Sequence, residues 1–191
     1  LGDVQLRKGN VRRAESNLVD AQDISKRLRE QHPAERVYVE LDADTRSYFA
    51  NVLRDQAKPE EELAQRNFVL QDYERLRRKH EWVTRYTESF ARANLNLGES
   101  LLLRSDPETA ELHATSAVQF FKDLVATRNA LPRYAVQHAS AMDLLARIHL
   151  HQERFTVAES NASNAVEIFQ KQLEPTRNTR HRHANALRTL G

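Results

Sequence analysis

Eight histidines are the residues most able to do chemistry in this chain, and their spacing argues against a shared ion. The closest pairs are His149 with His151 and His181 with His183. On a helix, residues two apart point about 200° apart, whereas a helical zinc pair sits three or four apart. No metal site is therefore expected. With no cysteine in the chain, thiolate ligands, thiol nucleophiles and disulfides are excluded. Serine, histidine and aspartate all occur, yet no serine is framed by a sharp strand-to-helix elbow or a Gly-rich oxyanion loop. Glu60, Glu61 and Glu62 follow a proline and suit a first helical turn, where the helix dipole favours acids. No Gly-rich loop could cradle a phosphate. The segment is expected to be non-enzymatic and to need no cofactor.

Two basic clusters remain, Arg75, Arg77, Arg78 and Lys79, then Arg177, Arg180 and Arg182. Both fall near helix C-termini or loops, where cations are favourable anyway. Lys plus Arg number 29 against 27 acids, a net charge of only +2, so nucleic acid is not an expected partner. His32 and His80, 48 residues apart, fall at helix ends, where an imidazole can cap terminal carbonyls.

The elements that carry these residues are predicted to be helices alone. Four Gly and five Pro leave few forced breaks, and the commonest letters are helix formers. Apolar residues recur at three and four. In the third unit Tyr86, Phe90, Ala93, Leu97 and Leu101 make one stripe, and Ala110, Ala114, Ala117, Phe121 and Leu124 a second. The predicted helices run over about 11–31, 35–56, 59–79, 83–104, 107–129, 133–152 and 155–173, with partial helices at both ends. Asp106-Pro107-Glu108 supplies an N-cap, a first-position proline and an acid, and Lys58-Pro59-Glu60 is predicted to do the same. Gly9-Asn10 turns the first unit. No apolar run approaches the roughly 20 residues that span a bilayer, so no membrane contact by this segment is expected; its placement is expected to be cytoplasmic, a membrane-attached parent protein being the alternative.

A period near 48 organises these helices. Tyr38, Tyr86 and Tyr134 follow it, as do Ala14, Ala110 and Ala158, Ala21, Ala117 and Ala165, and Ile24, Phe120 and Ile168. Small residues let the paired helices approach, and Ile24, Phe120 and Ile168 are expected to fill the groove to the next unit. The second unit fits if its loop carries one extra residue, placing Leu63, Leu70 and Tyr73 on the packing face. Glu111 is expected to face solvent. The units run over about 1–33, 34–80, 81–131 and 132–177 with a partial unit 178–191, a single repeat domain read as a fragment of a longer protein.

The residues Leu97-Gly98, Leu101, Ser105-Asp106-Pro107, Ala110 and Ala117 resemble the tetratricopeptide pattern. Leu1-Gly2, Gly9, Ala14 and Ala21, then Leu145-Ala146, Ala158 and Ala165, repeat it, while Phe49-Ala50 stands at this place in the second unit. The Pro33 to Tyr38 segment and the long period are similar to arrays behind the catalytic domains of bacterial serine/threonine protein kinases. The resemblance implies an all-α fold, a right-handed superhelical solenoid of antiparallel helix pairs. It also implies a non-catalytic scaffold that binds a protein or peptide in a concave groove, in a larger signalling protein. The alternative is a self-association or cis-regulatory segment, with Leu102 and Leu103 packing on another copy. Counting from Phe49, the resemblance assigns Asp44, Ser47, Asn51, Arg54 and Asp55 to the groove; from Leu97, Arg92, Leu95, Glu99, Leu102 and Leu103. Counting from Leu145 it assigns Ser140, Asp143, Arg147, Leu150 and His151, and from Leu190, Asn185 and Arg188. Arg54, Arg92 and Arg147 are expected to offer charge to a partner without supporting the core.

Overall fold

The computed structural model describes residues 11–128, 130–171 and 188, and it is all-helical: seven helices and no strand among the described residues. They are α1 (Val11–Gln31), α2 (Arg36–Asp55), α3 (Pro59–Lys79), α4 (Thr84–Leu103), α5 (Pro107–Val125), α6 (Pro132–His151) and α7 (Phe155–Gln170). The expectations that rest on Leu1-Gly2, Gly9-Asn10, the side chain of Ala14, His181, His183, Arg177, Arg180, Arg182, Asn185, Leu190 and the partial terminal helices lie outside the described residues.

The chain divides into two compact units, Leu1–Ala93 and Asn94–Gly191, with the division inside α4. In the first, α1 packs on α2 and α2 on α3; in the second, α5 packs on α6 and α6 on α7.

Each turn between paired helices is built the same way. Ala57, Ser105 and Glu153 take left-handed φ values of 56°, 57° and 60°, although none is glycine, and they are spaced by 48. The next residue's N–H returns to a carbonyl five back: Lys58 to Leu53 at 2.9 Å, Asp106 to Leu101 at 3.1 Å and Arg154 to His149 at 2.8 Å. This is the Schellman closure, which satisfies carbonyls that a helix end leaves open. Asp106 caps α5 as expected, its Oδ1 accepting from the Thr109 N–H at 3.2 Å. Lys58 provides no such side-chain cap, so Pro59 and the first-turn acids Glu60, Glu61 and Glu62 mark the start of α3.

The packing columns follow the period from the second unit on, whereas Ala21, expected in the column of Ala117 and Ala165, is only half-buried. Val69, Ala117 and Ala165 are buried, as are Tyr73, Phe121 and Phe169. Ile24 is 50% exposed, which corrects its assignment as a groove filler, while Phe120 is half-buried and Ile168 is half-buried against Ala139, Ala165, Val166 and Phe169. The filling column lies one residue on, at Ser25, Tyr73, Phe121 and Phe169, because one residue turns the helix face by about 100°.

The extra residue expected in the second unit is also absent. Glu62 and Arg66 occupy the buried places held by Ala110 and Ala114, and by Ala158 and Ala162, in the other repeats. The two ionic side chains are tolerated because they pair with each other at 2.7 Å, and Arg66 also donates to Asn51 Oδ1 at 3.1 Å. Leu63 and Leu70, the expected packing residues, are only half-buried.

Close approach is tightest at Gly98, where a Cβ would stand 3.1 Å from Leu144 Cδ2 and 3.3 Å from the Ala110 carbonyl oxygen. Ala50 and Ala146 hold the matching positions and are wholly buried. The tyrosine column is equally regular. The N–H groups of Tyr38, Tyr86 and Tyr134 each donate three residues back, at 3.1, 2.9 and 2.9 Å. His32 and His80 lie against the rings of Tyr38 and Tyr86, at 5.2 and 6.0 Å between centroids. The caps there are made by their backbones, with the His32 and His80 N–H groups each donating at 3.0 Å to Leu28 and Leu76.

Candidate partner-binding faces

The first helix of each pair turns its small buried residues, Ala43 and Ala50 in α2 and Ala139 and Ala146 in α6, towards its neighbours. Its charged residues fall on another face. In the first unit Asp44 is half-buried and its Oδ1 accepts from the Tyr73 hydroxyl at 2.5 Å. Burial, and then the Asp44 charge, push the Tyr73 hydroxyl far above the usual phenol range, so it remains a donor. Arg92 stands 4.0 Å from Asp44 and donates to Ser89 at 3.4 Å. Asn51 Oδ1 accepts from Arg66 and, at 3.3 Å, from Arg54.

In the second unit Arg147 lies 3.8 Å from Glu99 and 3.3 Å from Asp143. Leu102 is half-buried beside them in the chain, and Leu103 and His151 are exposed. Two of these pairs, Asp44 with Arg92 and Glu99 with Arg147, join residues 48 apart. Equivalent positions of successive first helices therefore meet within each unit.

Other assignments are corrected. Leu95 is 2% exposed and belongs to the core. Ser140 is also buried and spends its hydroxyl on the Val136 carbonyl at 2.8 Å. Asp143 is buried and held by Arg147, so this arginine supports the fold as well as facing outward. Ser47 is half-buried and Asp55 exposed, while Leu150 and Arg188 are exposed.

No group of three or more histidine, cysteine, aspartate or glutamate side chains is arranged to hold a metal among the described residues. No described helix is long and apolar enough to cross a membrane. His149 and His151 diverge as their spacing requires, His149 buried and His151 exposed. In the first basic cluster Arg77 lies over the Phe90 ring at 4.9 Å and Arg78 pairs with Glu74 at 2.6 Å.

Two polar clusters were not legible in the sequence. In the first unit Arg29 bridges Asp42 and Asp72, with contacts of 2.6 to 2.7 Å, and Arg46 donates to Asp42 at 2.9 Å. In the second, Glu111 binds His149 Nε2 at 3.1 Å, Gln152 at 3.0 Å and Arg154 at 2.9 Å. Asn161 Nδ2 donates to the Val157 carbonyl and approaches His149 Nδ1 at 3.1 Å. That makes Nδ1 the acceptor and leaves Nε2–H to donate to Glu111.

Glu111 therefore does not face solvent idly, contrary to expectation. Hydrogen bonds from Gln152, His149 and Arg154 lower its pKa to about 2. Glu111→Leu should cost about 1.5 to 3 kcal/mol, because it removes charge-assisted bonds and strands the buried His149 N–H. A carboxylate with a depressed folded pKa contributes stability above its ordinary pKa and loses it as pH falls through the folded value. The gap between native and Glu111→Gln melting temperatures should therefore be full at neutral pH and shrink as pH falls from about 4.5 towards about 2. A gap independent of pH would remove the charge from this account.

No protein-family model matches the chain, and no curated protein matches it. Among solved structures it is similar to one described as the crystal structure of BtubC (BKLC) from P. vanneervenii, at 14% identity, covering 94% of this chain and 84% of that one, with a TM-score of 0.47.

Proposed function

We propose that this chain is a tetratricopeptide-like solenoid segment, a non-catalytic scaffold that binds a protein or peptide partner on the face of its first helices. It would serve a larger bacterial signalling protein such as a serine/threonine kinase. The observation that supports this most is a pair of ion pairs between successive first helices, Asp44–Arg92 and Glu99–Arg147, in two adjacent columns that share the 48-residue spacing of the buried columns and the left-handed turns. Polar side chains set at the period of the core, yet partly exposed, offer a partner spaced polar contacts on a helical support.

Capture from lysate by the native chain, compared with an Arg54→Ala, Arg92→Ala double variant, tests the reading. Interface arginines are often worth more than 1 kcal/mol of affinity, whereas solvated ones change stability by about half that. A partner lost by the variant at an unchanged melting temperature supports the first-helix face. A partner retained in full moves binding elsewhere. Solution scattering tests the solenoid itself, since a compact chain of this length would have a radius of gyration of about 16 Å and a solenoid a larger one. Self-association through Leu102 and the 71% exposed Leu103 is the second reading, and light scattering that showed a mass doubling with concentration would favour it.

A further inference from the structure

The first unit carries a pocket away from the first-helix face, between the loop that leads into α2 and the loop that follows α3. It measures about 530 Å³ and is lined by Ala34, Glu35, Arg36, Lys79, His80 and Trp82. Trp82 is 76% exposed and meets the His80 ring edge-on, with centroids 5.6 Å apart. Nothing in the fold demands an indole there: Ala34 and Ala130 stand at the same place in the neighbouring repeats. An exposed tryptophan at a position where alanine serves elsewhere is surface kept for contact rather than packing.

The pocket is lined by two cations, Arg36 and Lys79, and one carboxylate, Glu35. Arg36 and Lys79 are exposed and form no ion pair among the described residues, unlike the adjacent Arg78, which is held by Glu74. His80 Nδ1 is buried without a hydrogen-bond partner. The N-cap residue of α2, Glu35, makes no side-chain capping bond, and the first turn of α2 contains no acid, so the positive end of that helix dipole adds to the field. Glu35 and the exposed Glu81 are the nearby carboxylates in sequence, and neither of them is used to neutralise Arg36 or Lys79.

We propose that this pocket docks a short acidic segment of a partner protein, an aromatic side chain of that segment lying on Trp82 and its carboxylates meeting Arg36 and Lys79. The volume holds a few side chains, within the range of ordinary ligand pockets. Two unpaired cations suit a brief acidic motif. A nucleic-acid strand draws on a longer run of phosphate contacts and several stacking rings, whereas this pocket has one indole. The proposal does not depend on the first-helix face being a binding surface.

Trp82 is the sole tryptophan, so intrinsic fluorescence reports on the pocket directly. Titration of the full chain with acetyl-Asp-Glu-Phe-Asp-Glu-amide should give a saturable emission change, and the charge-reversed acetyl-Lys-Arg-Phe-Lys-Arg-amide should give none. An Arg36→Glu, Lys79→Glu double variant should weaken the acidic peptide by about tenfold or more at an unchanged melting temperature. Trp82→Ala, read by calorimetry, should weaken it comparably while folding normally, since alanine fills this place in other repeats. The proposal is overturned by no saturable change with the acidic peptide, by equal binding of the reversed peptide, or by full affinity in either variant. Tighter binding of a ten-nucleotide single strand would replace the partner class and overturn it too.

Discussion

Arg66→Ala should be among the most damaging single substitutions in the chain, lowering stability by about 3 to 5 kcal/mol. Its guanidinium is 3% exposed and neutralises Glu62, whose side chain is 7% exposed, so the substitution strands a carboxylate where water cannot reach it. Asn51 would lose one of its two donors in the same step. Replacing both partners is a different experiment. Glu62→Leu with Arg66→Met keeps the volume and removes both charges, and buried ion pairs replaced in this way are often neutral or even stabilising. The matching places elsewhere are already apolar, Ala110 with Ala114 and Ala158 with Ala162. Urea unfolding of the three proteins should rank the native chain and the apolar double variant close together, well above Arg66→Ala. A double variant as unstable as the single one would mean that the pair is needed for its own sake.

Asp42→Ala should cost a similar amount, about 3 to 5 kcal/mol. Asp42 is completely buried and joins three helices: it accepts from Ser25 at 3.3 Å and Arg29 at 2.7 Å on α1, and from Arg46 at 2.9 Å on α2, while Arg29 carries the connection to Asp72 on α3. Removing this carboxylate leaves the buried Ser25 hydroxyl and the largely buried Arg46 without their shared acceptor. Asp42→Asn retains one acceptor and the shape, so it should fall between native and alanine. Thermal melts of the three proteins check the order, and an alanine variant that melts with the native protein would remove the network from the account of stability.

Much of the helical framework follows from local chemistry alone. Proline at 59, 107 and 132, each at the start of a helix, and the Asp106 cap mark boundaries through φ restriction and a satisfied N–H, both short-range effects. The 48-residue period is visible in the letters because matching positions from the second repeat on are buried alike. Three features depended instead on groups far apart in sequence. Glu62 and Arg66 carry the letters of a solvated helix face, and their pairing across the helix turn and to Asn51 on α2 helps to hold them inside. Ser25, a weaker core candidate than its neighbour Ile24, is buried with its hydroxyl between the Gln22 carbonyl and Asp42, 17 residues on. Glu111 resembles a surface acid until residues 38 to 43 positions later fold against it. The positions of the first-helix face were assigned by the tetratricopeptide resemblance, counted from Phe49, Leu97 and Leu145. Which of those positions stay accessible was decided by tertiary structure, because helix neighbours buried Leu95 and Ser140 and left Arg54, Arg92 and Glu99 partly open. A period places a residue on a helix, but only the neighbouring helix determines whether water still reaches it.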